Sequence, residues 1–129
     1  QANKINGREP IHMHPDDAKY RFLKENDLVK VFNSRGSCFA SVQLDNNLRE
    51  GVVQMSTGAW YDPVDPSNPL SACKNGNPNV LTPDKGTSRL GQGPIAHSCL
   101  VEITKYEGYV DKVTAYEPPK IIRKISNDF

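Results

Sequence analysis

Residues 27–44, DLVKVFNSRGSCFASVQL, decide the fold because they combine two strand-like runs with a turn between them. Residues 27–33 are rich in Leu, Val and Phe, and residues 34–36, Ser-Arg-Gly, form a glycine-containing turn signal. Residues 37–44 alternate with period two, so successive side chains point to opposite faces of a strand. One face holds Cys38, Ala40, Val42 and Leu44, and the other holds Ser37, Ser41 and Gln43. The stretch therefore predicts a β-hairpin.

Shorter patterns outside the hairpin predict further strands and one helix. Strands are predicted over residues 10–14, 52–56 and 98–105, where apolar side chains recur with short spacing. Pro15 with the two following aspartates is typical of a helix start, and Asn26 can take the left-handed conformation that closes a helix. We expect one helix of about ten residues. Because strands dominate and their pairing is not local, the predicted fold class is mainly β.

Composition limits the classes of protein that fit. The chain has 129 residues, 16 basic and 15 acidic side chains and a net charge of +1. This length predicts a single domain over residues 1–129, with residues 119–129 as a tail. A balanced charge argues against a nucleic-acid partner, and the lack of a long apolar run argues against membrane insertion. The polar start at Gln1 leads us to expect a fragment of a longer protein.

The cysteines and histidines give only weak evidence for a metal or catalytic site. Cys38, Cys73 and Cys99 have no C-x-x-C spacing, and we expect thiols in apolar strands to act as small buried side chains. His12 and His14 with the carboxylates that follow allow a metal site to be drawn, but a third ligand at a convincing spacing is missing. We therefore predict neither catalytic nor metal-ligating residues in this chain.

The segment 58–94 carries the most functional information. More than half of it is Gly, Pro, Asn, Asp or Ser, which predicts a long loop rather than regular structure. Its amides offer donor and acceptor together, as the edge of a purine or pterin ring requires, and Asp84 can accept from a ring N–H and an exocyclic amine. Residues 91–93, Gly-Gln-Gly, let a flat ring lie against the backbone. We expect an ordered, ligand-facing loop, although composition alone fits a capped surface loop equally well.

Six short motifs in one order give the sequence its resemblance to a known family. They are REP at 8–10, HPDDA at 14–18, NSRG at 33–36, GAWYD at 58–62, NVLT at 79–82 and DKGTSRLGQG at 84–93. From about residue 7 to residue 119 the chain resembles the C-terminal dinucleotide-binding domain of molybdopterin oxidoreductases of the dimethyl sulfoxide reductase family. It is most similar to the bacterial branch that reduces S-oxides and N-oxides, the biotin sulfoxide and trimethylamine N-oxide reductases.

This resemblance implies a fold, a cofactor and a set of binding residues. The fold is a double-psi β-barrel, a closed six-stranded barrel with short helices at its rim. The cofactor is bis(molybdopterin guanine dinucleotide) molybdenum, whose metal is held by a serine in an earlier domain, so the isolated fragment should not turn over. By position, cofactor contacts are implied for Asn79, Asp84, Gln92, Gly93, Arg35 and Ser88. We expect Trp60, next to Gly58 and Ala59, to be a buried wall of the cleft rather than a ligand contact.

The resemblance also implies partners and a compartment. The partners are the remaining domains of the same polypeptide, a small-molecule S-oxide or N-oxide, and an electron donor such as a c-type cytochrome. The expected compartment is the bacterial periplasm, with the cytoplasm as the alternative. Two other functions stay open: the cofactor-binding domain of another molybdopterin enzyme, such as formate dehydrogenase or nitrate reductase, and a non-enzymatic β-barrel interaction module.

Overall fold

The computed structural model describes residues 3–96 and 99–122. These residues form one mixed sheet with a short α-helix and a 3-10 helix. The strands are β1 (Pro10–Met13), β2 (Leu28–Phe32), β3 (Ser37–Leu44), β4 (Val53–Met55) and β5 (Glu102–Lys105). The α-helix, α1, spans Pro15–Tyr20, and the 3-10 helix spans Pro78–Val80. The strand order is β4-β1-β3-β2-β5, with β1 parallel to β3 and all other neighbours antiparallel.

The predicted hairpin is confirmed at the centre of the sheet. Strands β2 and β3 pair with Val31 opposite Cys38, and the Asn33 N–H donates to the Gly36 carbonyl at 3.0 Å across the turn. Apolar side chains from four strands, α1 and the long loop fill the core. Its fully buried members are Ile11, Met13, Ala18, Val29, Val31, Cys38, Ala40, Val42 and Cys73.

Strand β3 is buried on both faces. The face that carries Ser37 and Ser41 is therefore covered and does not point to solvent. Ser41 is enclosed, and its hydroxyl donates to the Ile5 carbonyl at 3.0 Å. Next to it, Phe39 packs edge-on against Tyr106. Serine is small enough to lie under a covering segment once its hydroxyl has an acceptor, which alternation alone does not reveal. The segments around Ile5 and Cys73 therefore cover this part of the sheet.

The helix is shorter than expected, ending at Tyr20 instead of near Asn26. Phe22 takes φ +57°, the Phe22 N–H donates to Lys19 O at 3.1 Å and the Leu23 N–H donates to Ala18 O at 2.8 Å. This pair of bonds is a Schellman motif, with a phenylalanine where glycine is usual. The prediction missed the end because a bulky aromatic residue gives no signal for the left-handed conformation.

The two edge strands lie on opposite sides of one cavity. Val53 of β4 and Ile103 of β5 line the same space of about 340 Å³, so the sheet curls and brings its edges to face each other. A mainly β, barrel-like domain is thus confirmed. Five strands lie in the described part of the chain, one fewer than the six that the resemblance implies. No helix in the described part is long and apolar enough to cross a bilayer.

The long loop, residues 58–94, is built from turns that are hydrogen-bonded to the sheet. Cys73 bridges to β3 through Phe39 N–H to Cys73 O and Cys73 N–H to Ser37 O, both at 2.9 Å. Its only regular element among the described residues is the 3-10 helix. The loop is therefore ordered, as expected, while its role in facing a ligand stays a prediction. Most of the predicted tail, residues 119–129, lies outside the described residues.

Candidate functional site

Two of the six predicted site residues lie where the hairpin turn meets the 3-10 helix. The carbonyl oxygen of Leu81 accepts from Asn33 Nδ2 at 2.8 Å, from Arg35 Nε at 2.7 Å and from the thiol of Cys99 at 3.0 Å. These bonds bring the turn that carries Arg35 against the segment that carries Asn79. Sequence positions 33–35, 79–81 and 99 thus form one surface cluster, which we call the turn cluster.

Arg35 is exposed, but its backbone N–H and its Nε are both held by hydrogen bonds. Its N–H donates to Asn33 Oδ1 at 2.9 Å, its Nε is bound to Leu81 O, and its Nη2 lies 3.5 Å from the sulfur of Cys99. Within the described residues, Nη1 makes no hydrogen bond. A guanidinium held through Nε presents its terminal nitrogens to an anion in a defined plane.

Asn79 and Asp84 present their polar groups to solvent. The 3-10 helix is capped by Asn77, whose Oδ1 accepts from the Asn79 N–H at 2.9 Å. The Asn79 carbonyl accepts from the Thr82 hydroxyl at 3.2 Å. The hydrogen bonds of Asn79 in the described structure therefore use its backbone, and its side-chain amide is exposed. The carboxylate of Asp84 is also exposed.

Ser88, Gln92 and Gly93 lie together in a second loop, residues 85–95. The loop is closed by a bridge between Gly86 and Pro94 and by the Thr87 N–H donating to Gly93 O at 2.7 Å. Its tip is tightened by the Gly91 N–H, which donates to the hydroxyl of Ser88 at 2.7 Å. These three residues therefore belong to one local structure, and their contact with a cofactor stays a prediction.

Gln92 uses its side chain inside that loop. Its Nε2 donates to the carbonyls of Ser88 at 3.1 Å and Arg89 at 3.2 Å, while its backbone takes φ +42°. The side-chain amide of Gln92, which was predicted to contact a ligand, thus stabilises the shape of the loop. A hydrogen bond from this nitrogen to a ligand requires it to leave these carbonyls.

Within residues 3–96 and 99–122, neither of the two cavities near this surface is lined by any of the six predicted residues. In the described part of the chain, no hydrogen bond connects loop 85–95 with the turn cluster. A cavity of about 210 Å³ beside the turn cluster is lined by Pro78, Leu81 and Cys99. The cleft of about 760 Å³ on the other side of β1 includes His12 and Tyr116 and none of the six. The candidate site thus consists of two exposed parts, the turn cluster and loop 85–95.

The expectation that Trp60 is a buried wall is wrong. Its side chain is 64% exposed and stacks on the ring of Tyr116 with centroids 5.7 Å apart. What fixes the segment is its backbone, since the Trp60 carbonyl accepts from Asn75 Nδ2 at 2.7 Å. Gly58 takes φ +104° with open space around it, and the indole that follows Ala59 turns outward.

A buried ionic network was not predicted from the sequence. Asp62 is 7% exposed, lies 3.4 Å from Lys74 Nζ and accepts from the Thr114 N–H at 2.6 Å and the Ala115 N–H at 2.9 Å. Arg8 donates to the Lys74 carbonyl at 2.7 Å, and burial lowers the pKa of its guanidinium while Asp62 opposes that shift. The partners are 12 to more than 60 residues apart, so no local pattern reveals them.

Among the thiols, Cys38 and Cys73 are buried as free cysteines, whereas Cys99 is half-buried. The interpretation as small buried side chains is confirmed for Cys38. Burial, together with the neighbouring Cys73, raises the pKa of the Cys38 thiol to about 12. Cys99 does not follow this expectation, because it is half-buried and its thiol donates to Leu81 O within the turn cluster.

A possible ligand group forms at the start of α1. His14, Asp16 and Glu50 each bring one potential ligand atom within 4.8 Å of the others. His14 Nδ1, however, accepts from the Asp16 N–H at 3.1 Å and caps the helix. Because the Nδ1 lone pair of His14 accepts this hydrogen bond, the His-Pro-Asp-Asp motif is explained as the start of a helix.

Comparison with known proteins places this geometry in a family. The family described as "Molydopterin dinucleotide binding domain" matches residues 1–100. The chain is 47% identical over 119 residues to a trimethylamine-N-oxide reductase of Salmonella typhi, covering 92% of this chain and 14% of the relative. It is 46% identical over 114 residues to trimethylamine-N-oxide reductase 1 of Escherichia coli K12, covering 88% of this chain and 13% of the relative.

Among solved structures, the chain is similar to acetylene hydratase from Pelobacter acetylenicus, with a TM-score of 0.59 and 17% identity. The similarity covers 76% of this chain and 14% of that one, and it shows the fold. The chain spans about one-seventh of the length of the relatives it matches. On the family match and these identities, the chain belongs to the molybdopterin dinucleotide binding domains of the dimethyl sulfoxide reductase family.

Proposed function

We propose that this domain holds the dinucleotide part of a bis(molybdopterin guanine dinucleotide) molybdenum cofactor in a longer S- or N-oxide reductase. The observation that carries the proposal is the identity of 46–47% to trimethylamine-N-oxide reductases over about nine-tenths of the chain. The remaining domains, a bacterial periplasmic location and a c-type cytochrome as electron donor belong to the same proposal. Trimethylamine N-oxide is the proposed substrate, with biotin sulfoxide as the alternative oxide.

Arg35 suits the diphosphate of a dinucleotide. Its guanidinium is exposed at the rim of the turn cluster, and its Nε is already bound to Leu81 O. The Nη1 nitrogen, without a partner in the described structure, is free to donate to a phosphate oxygen. Arginine binds phosphates with two parallel donors, and prior orientation reduces the entropy lost when it does so.

Asn79 and Asp84 suit the guanine base. A guanine edge presents N–H donors that a carboxylate can accept as a pair, and an acceptor that an amide nitrogen can reach. Both side chains are exposed on the segment that follows the 3-10 helix start. This donor and acceptor pattern favours guanine over adenine, whose corresponding edge lacks the ring N–H.

Loop 85–95 offers backbone and hydroxyl groups. Gly93 contributes a bare backbone that a flat ring can approach, and Ser88 lies at the loop tip. Gln92 shapes this loop through its bonds to two carbonyls. When bound, the cofactor supplies the redox chemistry of oxygen removal from the oxide, and the residues of this chain bind and orient it.

The test measures cofactor content of the full-length protein that contains this chain. We expect Arg35→Ala, Asn79→Ala and Asp84→Asn each to weaken cofactor binding by about five- to 150-fold, because each leaves a ligand group unpaired at roughly 1–3 kcal/mol. The readout is pterin and molybdenum per polypeptide after dilution, together with the melting temperature. The base is identified from the nucleotide that acid hydrolysis releases.

Asn68→Ala is the matched control, since Asn68 caps an exposed turn outside the proposed site by accepting from the Leu70 N–H. Its cofactor content should equal that of the parent protein. If the three site variants also keep parental content and affinity, these residues do not bind the cofactor.

A further inference from the structure

Asn33 uses both ends of its amide to connect three parts of the chain. Its Oδ1 accepts from the N–H groups of Arg35 at 2.9 Å and Gly36 at 3.3 Å. Its Nδ2 donates to the carbonyls of Leu81 at 2.8 Å and Leu100 at 3.0 Å. The last two partners are 48 and 67 residues away in sequence. One side chain therefore ties the hairpin turn to the segment after the 3-10 helix and to the approach of β5.

The turn and the 3-10 helix also touch through their backbones. A Cβ placed on Gly36 would lie 2.5 Å from the carbonyl oxygen of Val80. No real side chain tolerates that distance from a backbone atom, so the close approach depends on glycine. This contact is independent of the hydrogen bonds of Asn33, yet it joins the same two segments.

We infer that Asn33 is a positioning residue, which sets the distance between Arg35 and the helix that carries Asn79. The inference rests on the proposed function, in which these two side chains bind opposite parts of one dinucleotide. Asn33 itself does not contact the ligand. Its bonds go to the backbone of both binding segments, so they hold the two side chains at one spacing before the ligand arrives.

Prior positioning matters because binding otherwise has to order two surface loops. Each loop ordered on binding reduces the affinity, and a preformed arrangement removes that cost. Asn33 is half-buried and is not a member of the apolar core. Its loss is therefore expected to affect ligand retention more than the unfolding of the barrel.

The first test is Asn33→Asp in the full-length protein, with the rate of cofactor release after dilution as the readout. The substitution keeps Oδ1 and the shape of the side chain, but it replaces the Nδ2 donor with an oxygen that faces the carbonyls of Leu81 and Leu100. We expect release to accelerate on the order of tenfold, as for the loss of one to two hydrogen bonds. Asn68→Asp makes the same charge change on an exposed turn and should leave release unchanged.

The second test separates positioning from a general structural role. In a protein that already carries Arg35→Ala and Asn79→Ala, a residue that acts through these two side chains has little left to position. There we expect Asn33→Asp to change release less than about twofold, because coupled residues are not additive. An equal acceleration in both backgrounds would overturn the inference.

Gly36→Ala gives an independent variant if Asn33→Asp fails to fold. It separates the turn from Val80 without removing any hydrogen-bonding group, and we expect it to accelerate release in the parent background only. If Arg35→Ala and Asn79→Ala alone do not affect release, the proposed function fails at these residues. If both accelerate release while Asn33→Asp and Gly36→Ala do not, only the positioning role fails.

Discussion

The indole of Trp60 lies at the surface and rests on Tyr116. With 64% of the side chain exposed, Trp60→Ala removes one aromatic pair and little buried area. We expect a loss of about 1 kcal/mol in the free energy of unfolding, equivalent to a fall of roughly 4 °C in melting temperature. Ile11→Ala is the contrasting variant, because Ile11 is fully buried and its truncation should cost about 2–5 kcal/mol. Equal losses for the two variants would contradict this assignment.

Burial of the Cys38 thiol makes the free energy of unfolding depend on pH in the alkaline range. Its thiol has a pKa of about 12 in the fold against 9.0 for an unperturbed thiol, since burial disfavours the thiolate. Between these values the unfolded chain releases the proton and the folded chain keeps it. The stabilisation is thus complete below pH 9 and decreases up to about pH 12, by at most about 1.4 kcal/mol per pH unit.

The measurement is urea unfolding of the parent chain and of Cys38→Ala between pH 7 and pH 10.5. The stability difference between the two proteins should stay constant up to about pH 8 and then shift in favour of the alanine variant by about 2 kcal/mol at pH 10.5. Other groups that titrate in this range act in both proteins and cancel in the difference. A constant difference up to pH 10.5 would show that the thiol ionises without cost in the fold.

At the scale of elements, Asp62 fastens the segment around residues 114–115 to the long loop. It accepts from two backbone N–H groups and from the Thr114 hydroxyl, and it pairs with Lys74. Asp62→Ala leaves a buried ammonium without its partner, which costs about 3–5 kcal/mol. We expect a large fall in melting temperature. Asp65→Asn is the control, because Asp65 is exposed and caps only the turn at Ser67, and its melting temperature should stay within a few degrees of the parent.

Elements with a strong local signal were predictable. Strand β3 was placed at its observed bounds because its polar and apolar side chains alternate everywhere except at Phe39, and a glycine marks the turn before it. The start of α1 was predicted from Pro15 and the carboxylates after it. Its end was not, because Phe22 adopts a conformation that its side chain disfavours.

The site was predictable only in part, for a physical reason. Ser88 and Gln92 are four residues apart, so a local turn brings them together. Arg35 and Leu81 are 46 residues apart and meet through tertiary packing, which no spacing rule contains. The outward orientation of Trp60 and the burial of Asp62 likewise depend on contacts with residues 114–116. Sequence patterns indicated the candidate segments, whereas the geometry between them comes from the fold.

At the scale of the whole molecule, buried polar groups connect the ends of the described chain. Arg8 donates to the carbonyls of Lys74, Val110 and Asp111 at 2.6–2.9 Å. Lys4 adds a bond to Asn75 Oδ1 at 2.6 Å. The domain thus closes on itself through side-chain bonds as well as through its sheet, so we expect these segments to unfold together with the sheet.

The last prediction concerns the isolated chain of 129 residues. Its apolar core comes from four strands, α1 and the long loop, and its free cysteines match no metal-ligand spacing. We therefore expect a cooperatively melting, β-rich monomer whose melting temperature does not change with a chelator or added zinc. Circular dichroism with thermal melts, and sedimentation, provide the measurement.

The same preparation should not reduce trimethylamine N-oxide or biotin sulfoxide, even with molybdate and a strong electron donor. The chain spans about one-seventh of the length of the trimethylamine-N-oxide reductases it matches, and its candidate site consists of two exposed parts of the surface. Such a surface can share a large cofactor with other domains, but it cannot surround one, so the weak association does not overcome the entropy lost on binding. The control is the full-length protein under the same conditions, which should turn over. Oxide reduction by the isolated chain above the protein-free rate, or folding that requires zinc, would contradict the assignment of this chain as one cofactor-binding domain of a longer enzyme.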